Sequence, residues 1–158
     1  MNKNTKKAVR YICVVLFTLY IVAMFYFLIF SDGFGRGTGY ETRRYNLEPF
    51  CEIKRFIKYR SALSTESVLL NLVGNVIAFI PFGMLIRWVR NKKTGFFTAF
   101  FYSFAFTLII ETIQYVTKSG VFDIDDIIMN TIGGVIGYII YRLLAYFLDH
   151  RRNNNAKR

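Results

Sequence analysis

The chain has 158 residues and a formal charge of +11, and it is 54% hydrophobic and 18% aromatic. That apolar share is too large for a soluble domain of this length unless much of it faces lipid, so a membrane class is expected first. Lys and Arg lie between apolar runs and never build an extended basic domain, which excludes a nucleic-acid reader and makes anionic lipid headgroups the expected partner of the charge.

The first apolar run, Tyr11 to Phe30, carries no charge and follows Lys3, Lys6, Lys7 and Arg10, so residues 1–10 read as a basic cytoplasmic N-terminus. At a rise of about 1.5 Å per residue the run covers the roughly 30 Å hydrocarbon core, whereas a signal peptide has an apolar stretch of about 7 to 15 residues and a small-residue cleavage site. Phe27, Leu28, Ile29 and Phe30 stand where that site would be. The run is therefore a retained helix.

A polar segment, Ser31 to Glu66, follows and opens with the glycines of Asp32-Gly33-Phe34-Gly35-Arg36-Gly37-Thr38-Gly39, which suit a turn. Within it, Phe50, Ile53, Phe56 and Ile57 recur at helical spacing against Lys54, Arg55, Lys58 and Arg60. Two readings fit: an amphipathic helix on the membrane surface, or a short solvated helix packed on the protein. Cys13, in an apolar run, and Cys51, in this loop, have neither disulfide nor metal spacing.

Three further apolar runs are expected as helices over 67–86, 94–117 and 124–148, joined by short connections that make them packed neighbours. Pro81, followed by Phe82 and Gly83, interrupts the backbone ladder of the second helix near its end. Gly133, Gly134 and Gly137 open one face of the fourth helix for close backbone approach. The tail, 149–158, reads as a disordered cytoplasmic end and holds His150, the only histidine. No histidine remains for a buried zinc site, and neither metal nor cofactor is expected. The fold class is all-α: a single transmembrane domain over 11–148, built as a four-helix polytopic bundle with an amphipathic interfacial helix in its first loop.

Both termini on the inner side give that side 13 Lys and Arg, from the two ends of the chain, the Arg87–Lys93 connection and Arg142, against 8 in the long loop and at Lys118. This favours cytoplasmic termini. Under either orientation, alternating helices bring eight polar residues to one face. Asn71 and Asn75 lie early in the second helix, Glu111 and Gln114 late in the third, and Asp123, Asp125, Asp126 and Asn130 at the start of the fourth. Spacings of three or four put Asn71 with Asn75, Glu111 with Gln114, and Asp126 with Asn130 on shared helix faces. A carboxylate about 10 Å inside the helix end, as at Glu111, must face the bundle or water, or be protonated. The eight are candidates for ligand contact; interhelical bonding by the amides and helix capping by Asp123 and Asp126 explain the same pattern without a ligand.

Several motifs make the chain resemble the VanZ-like family of bacterial membrane proteins from about Arg44 to Tyr141. They are Asn46-Leu47-Glu48-Pro49-Phe50; Asn71-Leu72-Val73-Gly74-Asn75 running into Phe79-Ile80-Pro81-Phe82-Gly83; Glu111-Thr112-Ile113-Gln114; and Phe122-Asp123-Ile124-Asp125-Asp126 leading to Asn130-Thr131-Ile132-Gly133-Gly134 and Gly137. On that resemblance Pro49, Pro81, Gly83, Gly133, Gly134 and Gly137 are structural positions. Many members carry an arginine just before the first aspartate of the last motif, where this chain offers only Lys118. The resemblance implies resistance to lipid-bearing glycopeptides such as teicoplanin in Gram-positive bacteria, and it supplies no mechanism. Three mechanisms stay open: binding of a lipoglycopeptide or a lipid-linked cell-wall precursor at the polar face, enzymatic modification of a lipid-linked envelope substrate through the carboxylates, and a small flippase acting as an oligomer.

Overall fold

The computed structural model describes residues 3–27, 44–51, 54, 65–90, 92 and 94–155. It has four long helices: α1 (Lys3–Phe25), α2 (Thr65–Arg90), α3 (Phe96–Thr117) and α4 (Ile124–Asn155). Each contains a stretch long and apolar enough to cross a membrane. The protein is therefore a multi-pass membrane protein with an all-α fold. Its outward-facing side chains agree: Tyr11, Leu19 and Val22 on α1 and Phe97 and Phe101 on α3 are all more than half exposed, which suits lipid and would be costly in water.

The helices differ from the expected spans at their ends. Helix α1 begins at Lys3, well before Tyr11, because Lys and Arg are good helix formers; residues 28–30 lie outside the described set. Helix α2 starts at Thr65 and continues past Ile86 to Arg90, running through Pro81. The expectation of a disordered tail is corrected, since α4 continues through Asp149 to Asn155. Arg151 complements the negative end of the helix, and Asn154 bonds to His150 one turn earlier (3.2 Å), which extends the helix beyond its apolar run. The amphipathic helix expected near Phe50 to Arg60 lies outside the described residues, apart from helical positions at Cys51 and Lys54.

Helix α4 is central, packing along α2 and α3, while α1 leans on α2. Its glycines determine how closely. A Cβ at Gly133 would collide with the carbonyl oxygen of Val76, and one at Gly137 with that of Ile80. From the opposite side, a Cβ at Gly83 would strike the carbonyl of Gly134. Positions four apart on both helices thus bring α2 and α4 together backbone to backbone, the arrangement by which membrane helices gain dispersion contact that lipid cannot match. Gly74, in the same helix, has nothing within 4 Å.

Aromatic rings fill the space that α1, α2 and α3 share. Phe82 stacks on Phe106 at 4.7 Å between centroids, Phe79 of α2 also meets Phe106, and Phe17 of α1 packs on Phe82. Tyr20, half-buried beside them, donates its hydroxyl to the carbonyl of Ala78 (2.8 Å), so its polar end is satisfied against α2.

A two-stranded parallel ladder completes the fold. Strand β1 (Arg44–Asn46) pairs with β2 (Val121–Asp123), with Tyr45 opposite Phe122 and Asn46 opposite Asp123. Helix α3 stops just before β2: Lys118 adopts a left-handed conformation (φ 58°), and its N–H and that of Ser119 both return to the carbonyl of Gln114. The ladder ties the long first loop to the start of α4.

Candidate functional site

The polar end of the bundle is assembled by α2, α3, the β ladder and the first turns of α4. On α3, Ser103, Thr107, Glu111 and Gln114 follow one another at helical spacing and are all buried, with Glu111 2% and Gln114 1% exposed. They face α4. Asn130 donates its side-chain amide to the Thr107 hydroxyl (2.9 Å), and Gly134, one turn further, sits against Ser103. The antiparallel register that makes both contacts sets Glu111 level with Asp126, one turn from Asn130 in the other direction.

The aspartates divide their work. Asp123 is the N-cap of α4: its Oδ1 accepts the N–H of Asp125 at 2.8 Å, and its Oδ2 accepts from the Asn46 side chain at 3.1 Å. Its own N–H donates to Oε2 of Glu111 (3.1 Å), so the buried Glu111 carboxylate holds the start of α4 against α3. Asp125 is 1% exposed and accepts the backbone N–H of Phe50. That residue is itself left-handed (φ 61°), a strained conformation for a non-glycine side chain. Asp126 accepts from the side-chain amide of Asn75, which ties α2 to α4. The negative charges gather where the positive end of the α4 dipole offsets them.

Seven of the eight candidate residues are thus brought to one end of the bundle. The side chain of Asn71 lies outside the described set, although its backbone is in α2 on the same side. Among the described residues, no three carboxylate, thiol or imidazole groups converge as a metal-binding set.

Beside the polar residues runs an open apolar groove of about 290 Å³, lined by Tyr45 and Leu47 from the β1 segment, Thr112 and Tyr115 from α3, and Phe122 from β2. Tyr115 and Phe122 meet edge to face at 6.4 Å. Thr112 and Phe122 adjoin Glu111 and Asp123 in the chain, so the groove lies one residue along from two of the carboxylates, of which Glu111 is buried.

The VanZ/LLP1 family model matches residues 17–145. The chain belongs to the VanZ/LLP1 family. Protein VanZ of Enterococcus faecium is 32% identical over 139 residues, covering 87% of this chain and 78% of that protein. No solved structure matches. The matched span of this VanZ/LLP1 chain holds all eight candidate residues and every glycine of the α2–α4 contact.

Sequence reasoning missed three members of the site. Asn46 bridges to Asp123 and also accepts the N–H of Glu48 (3.2 Å), forming the turn that leads to Pro49. Ser103 and Thr107 continue the face of Glu111 toward the middle of the membrane. Their spacing of four from one another and from Glu111 was the available signal, hidden because Ser and Thr are common in lipid-facing helices, where their hydroxyls bond one turn back, as Thr112 does to Leu108 (2.7 Å).

Next to the site, Glu48 and Lys54 form a surface ion pair at 2.8 Å. The hydrogen bond and the charge of Lys54 lower the Glu48 carboxyl below its usual pKa, and Glu48 in turn raises that of Lys54. Glu48's contribution is present above its unfolded pKa and is lost as pH falls through its lowered folded value. Lys54's is present below its unfolded pKa and lost as pH rises through its raised value. Both groups are fully exposed, so Lys54→Ala is expected to leave thermal stability unchanged at physiological salt while returning the Glu48 titration, followed by carboxyl NMR, to its ordinary range.

Ser103 gives a further test. Its Oγ is buried without a partner among the described residues. Ser103→Ala removes that unmet hydroxyl without touching the Gly134 backbone, and a gain of about 1 kcal/mol in unfolding free energy in detergent is expected. A loss of similar size would show that the hydroxyl is satisfied in the membrane.

Proposed function

We propose that this protein contributes to resistance against lipid-bearing glycopeptides of the teicoplanin type by holding an amphiphile at the polar end of its bundle. The ligand is the antibiotic itself or a lipid-linked cell-wall precursor. Similarity to Protein VanZ supports the resistance role, and the aromatic groove whose Thr112 and Phe122 adjoin Glu111 and Asp123 in the chain carries the binding reading. An acyl chain fits the groove of Tyr45, Leu47, Tyr115 and Phe122, while ammonium and hydroxyl groups suit the carboxylates of Glu111, Asp123 and Asp126. Residues that already bond within the protein are poised rather than loose, which lowers the ordering cost of binding.

In this reading both termini are cytoplasmic and the polar end faces outward, as the distribution of Lys and Arg supports. Single cysteines at Asp123 and Asn91, labelled in intact cells with a membrane-impermeant maleimide, test the arrangement. Asp123→Cys is expected to label and Asn91→Cys to stay protected; the reverse would remove the ligand's access route.

The function is tested by expressing the chain in a glycopeptide-sensitive Gram-positive host. Wild type is expected to raise tolerance to teicoplanin more than to vancomycin, which lacks the lipid. The Glu111→Gln, Asp126→Asn double variant should lose that gain at an equal level in the membrane. Unchanged tolerance in the double variant would sink the proposal.

A further inference from the structure

At the opposite end of the bundle, α2 finishes with Arg87 and Arg90, three residues apart and therefore on one face. The guanidinium of Arg87 lies 5.7 Å over the ring of Tyr141 on α4, and that of Arg90 lies 4.7 Å over the ring of Tyr102 on α3. Each cation is oriented by an aromatic ring from a different helix before any ligand arrives. Their donors are poorly used. Arg87 Nη1 reaches the Lys92 carbonyl at 3.5 Å, the outer limit of a hydrogen bond, and Arg90 Nη1 is buried with no acceptor among the described residues. Neither forms an ion pair with a carboxylate among those residues. Arginines at helix ends ordinarily carry their charge out to water. Arg90 instead keeps one N–H of its guanidinium out of solvent at the end of α2. Lys92, two residues on, and Arg142, next to Tyr141 in the chain, add positive charge at this end of the bundle.

We propose that Arg87 and Arg90 form a site for the phosphate of an anionic membrane lipid, with Tyr102 and Tyr141 holding the two guanidiniums in place. A guanidinium fork matches phosphate oxygens, and the fixed positive charge selects an anionic headgroup over a zwitterionic one. Phe97 and Phe101 of α3, both more than half exposed, extend from this end along the bundle, where the acyl chains would run. This site is independent of the polar end and of any ligand bound there.

Trp88, the only tryptophan of the chain, lies in the same last turns of α2 as the two arginines and reports on lipid at that end. The full-length protein is reconstituted in phosphatidylcholine vesicles, and Trp88 fluorescence is quenched with acyl-brominated phosphatidylglycerol or acyl-brominated phosphatidylcholine at equal mole fractions. Phosphatidylglycerol is expected to bind at least about fivefold more tightly, on the order of the contribution of one basic residue near an anionic surface. Arg90→Gln and Arg87→Gln should each remove most of that preference, and Arg90→Lys, which keeps the charge but not the fork, should weaken it severalfold. Arg151→Gln, in the exposed last turns of α4, should leave it intact. If Arg90→Gln fails to fold by circular dichroism and gel filtration, Arg90→Lys carries the test. Equal quenching by the two lipids would overturn the proposal, as would an equal loss in Arg151→Gln or an Arg90→Lys indistinguishable from wild type, since diffuse charge explains both. Release of the preference by millimolar inorganic phosphate would assign the site to soluble phosphate and overturn the lipid assignment.

Discussion

Gly137→Ala is expected to destabilise the folded protein by about 3 kcal/mol, at the upper end of the usual cost of overpacking. Its new methyl would meet the Ile80 backbone carbonyl, and neither helix backbone can yield as a flexible side chain can. The same change at Gly133, against the Val76 carbonyl, should cost a similar amount. Gly74→Ala is the control. That position is open, and replacing a helical glycine with alanine is worth up to about 1 kcal/mol in favour of the helix, so a neutral or slightly stabilised protein is expected. Unfolding in mixed micelles with increasing denaturing detergent gives the three values together. Equal behaviour of Gly74→Ala and Gly137→Ala would mean that α2 and α4 do not meet backbone to backbone.

The second large effect is expected at Asp125. Its carboxylate is buried and accepts the N–H of Phe50, so Asp125→Ala leaves a donor without its partner and takes a buried charge from beside the α4 N-terminus. A loss of about 1–3 kcal/mol follows. It should be local: the Asn46–Phe50 turn and strand β1 should release from β2 while the helices stay packed. Hydrogen exchange at residues 44–50 should rise by at least tenfold, with α2 and α4 amides unchanged. Asp125→Asn keeps an oxygen acceptor in place and should retain most of the protection. A uniform rise across all helices would instead make Asp125 a general stability residue rather than the anchor of the loop.

The helices were legible in the sequence because lipid demands some twenty consecutive apolar residues, and such a run is hard to mistake. Their ends were not. Lys3 to Arg10, Arg87 to Arg90 and Asp149 to Asn155 are polar yet helical, because backbone bonding continues wherever propensity allows, and hydropathy does not register that. The gathering of Asn75, Glu111, Gln114 and Asp126 at one end followed from alternating helix direction alone. What each carboxylate bonds to did not follow. Asp123 could be placed near a cap by its position, but its bond to Asn46 depends on strands of three residues joined across two helices, too short to leave a periodic signal. Gly133 and Gly137 were readable as a close-contact pair, while their partners, the carbonyls of Val76 and Ile80, are backbone groups without a sequence signature.

The acidic residues therefore have two roles to separate. Asp123 and Asp125 accept backbone N–H groups that cap α4 and anchor the loop, and Glu111 accepts that of Asp123, whereas Asp126 accepts a side-chain amide from Asn75; Glu111 and Asp126 stand level across the α3–α4 seam. Ligand recognition should be more sensitive to the second pair than to the first once stability is matched.

Binding of teicoplanin to the purified protein in lipid nanodiscs tests the central claim most directly. Surface plasmon resonance should show saturable binding to wild type. The Glu111→Gln, Asp126→Asn double variant, and a groove variant with Leu47→Asp, should each weaken it by at least tenfold at unchanged melting temperature. The same comparison with a lipid-linked cell-wall precursor covers the alternative ligand. Equal affinity of wild type and both variants for each of the two ligands, or saturable binding of neither to wild type, would contradict the account.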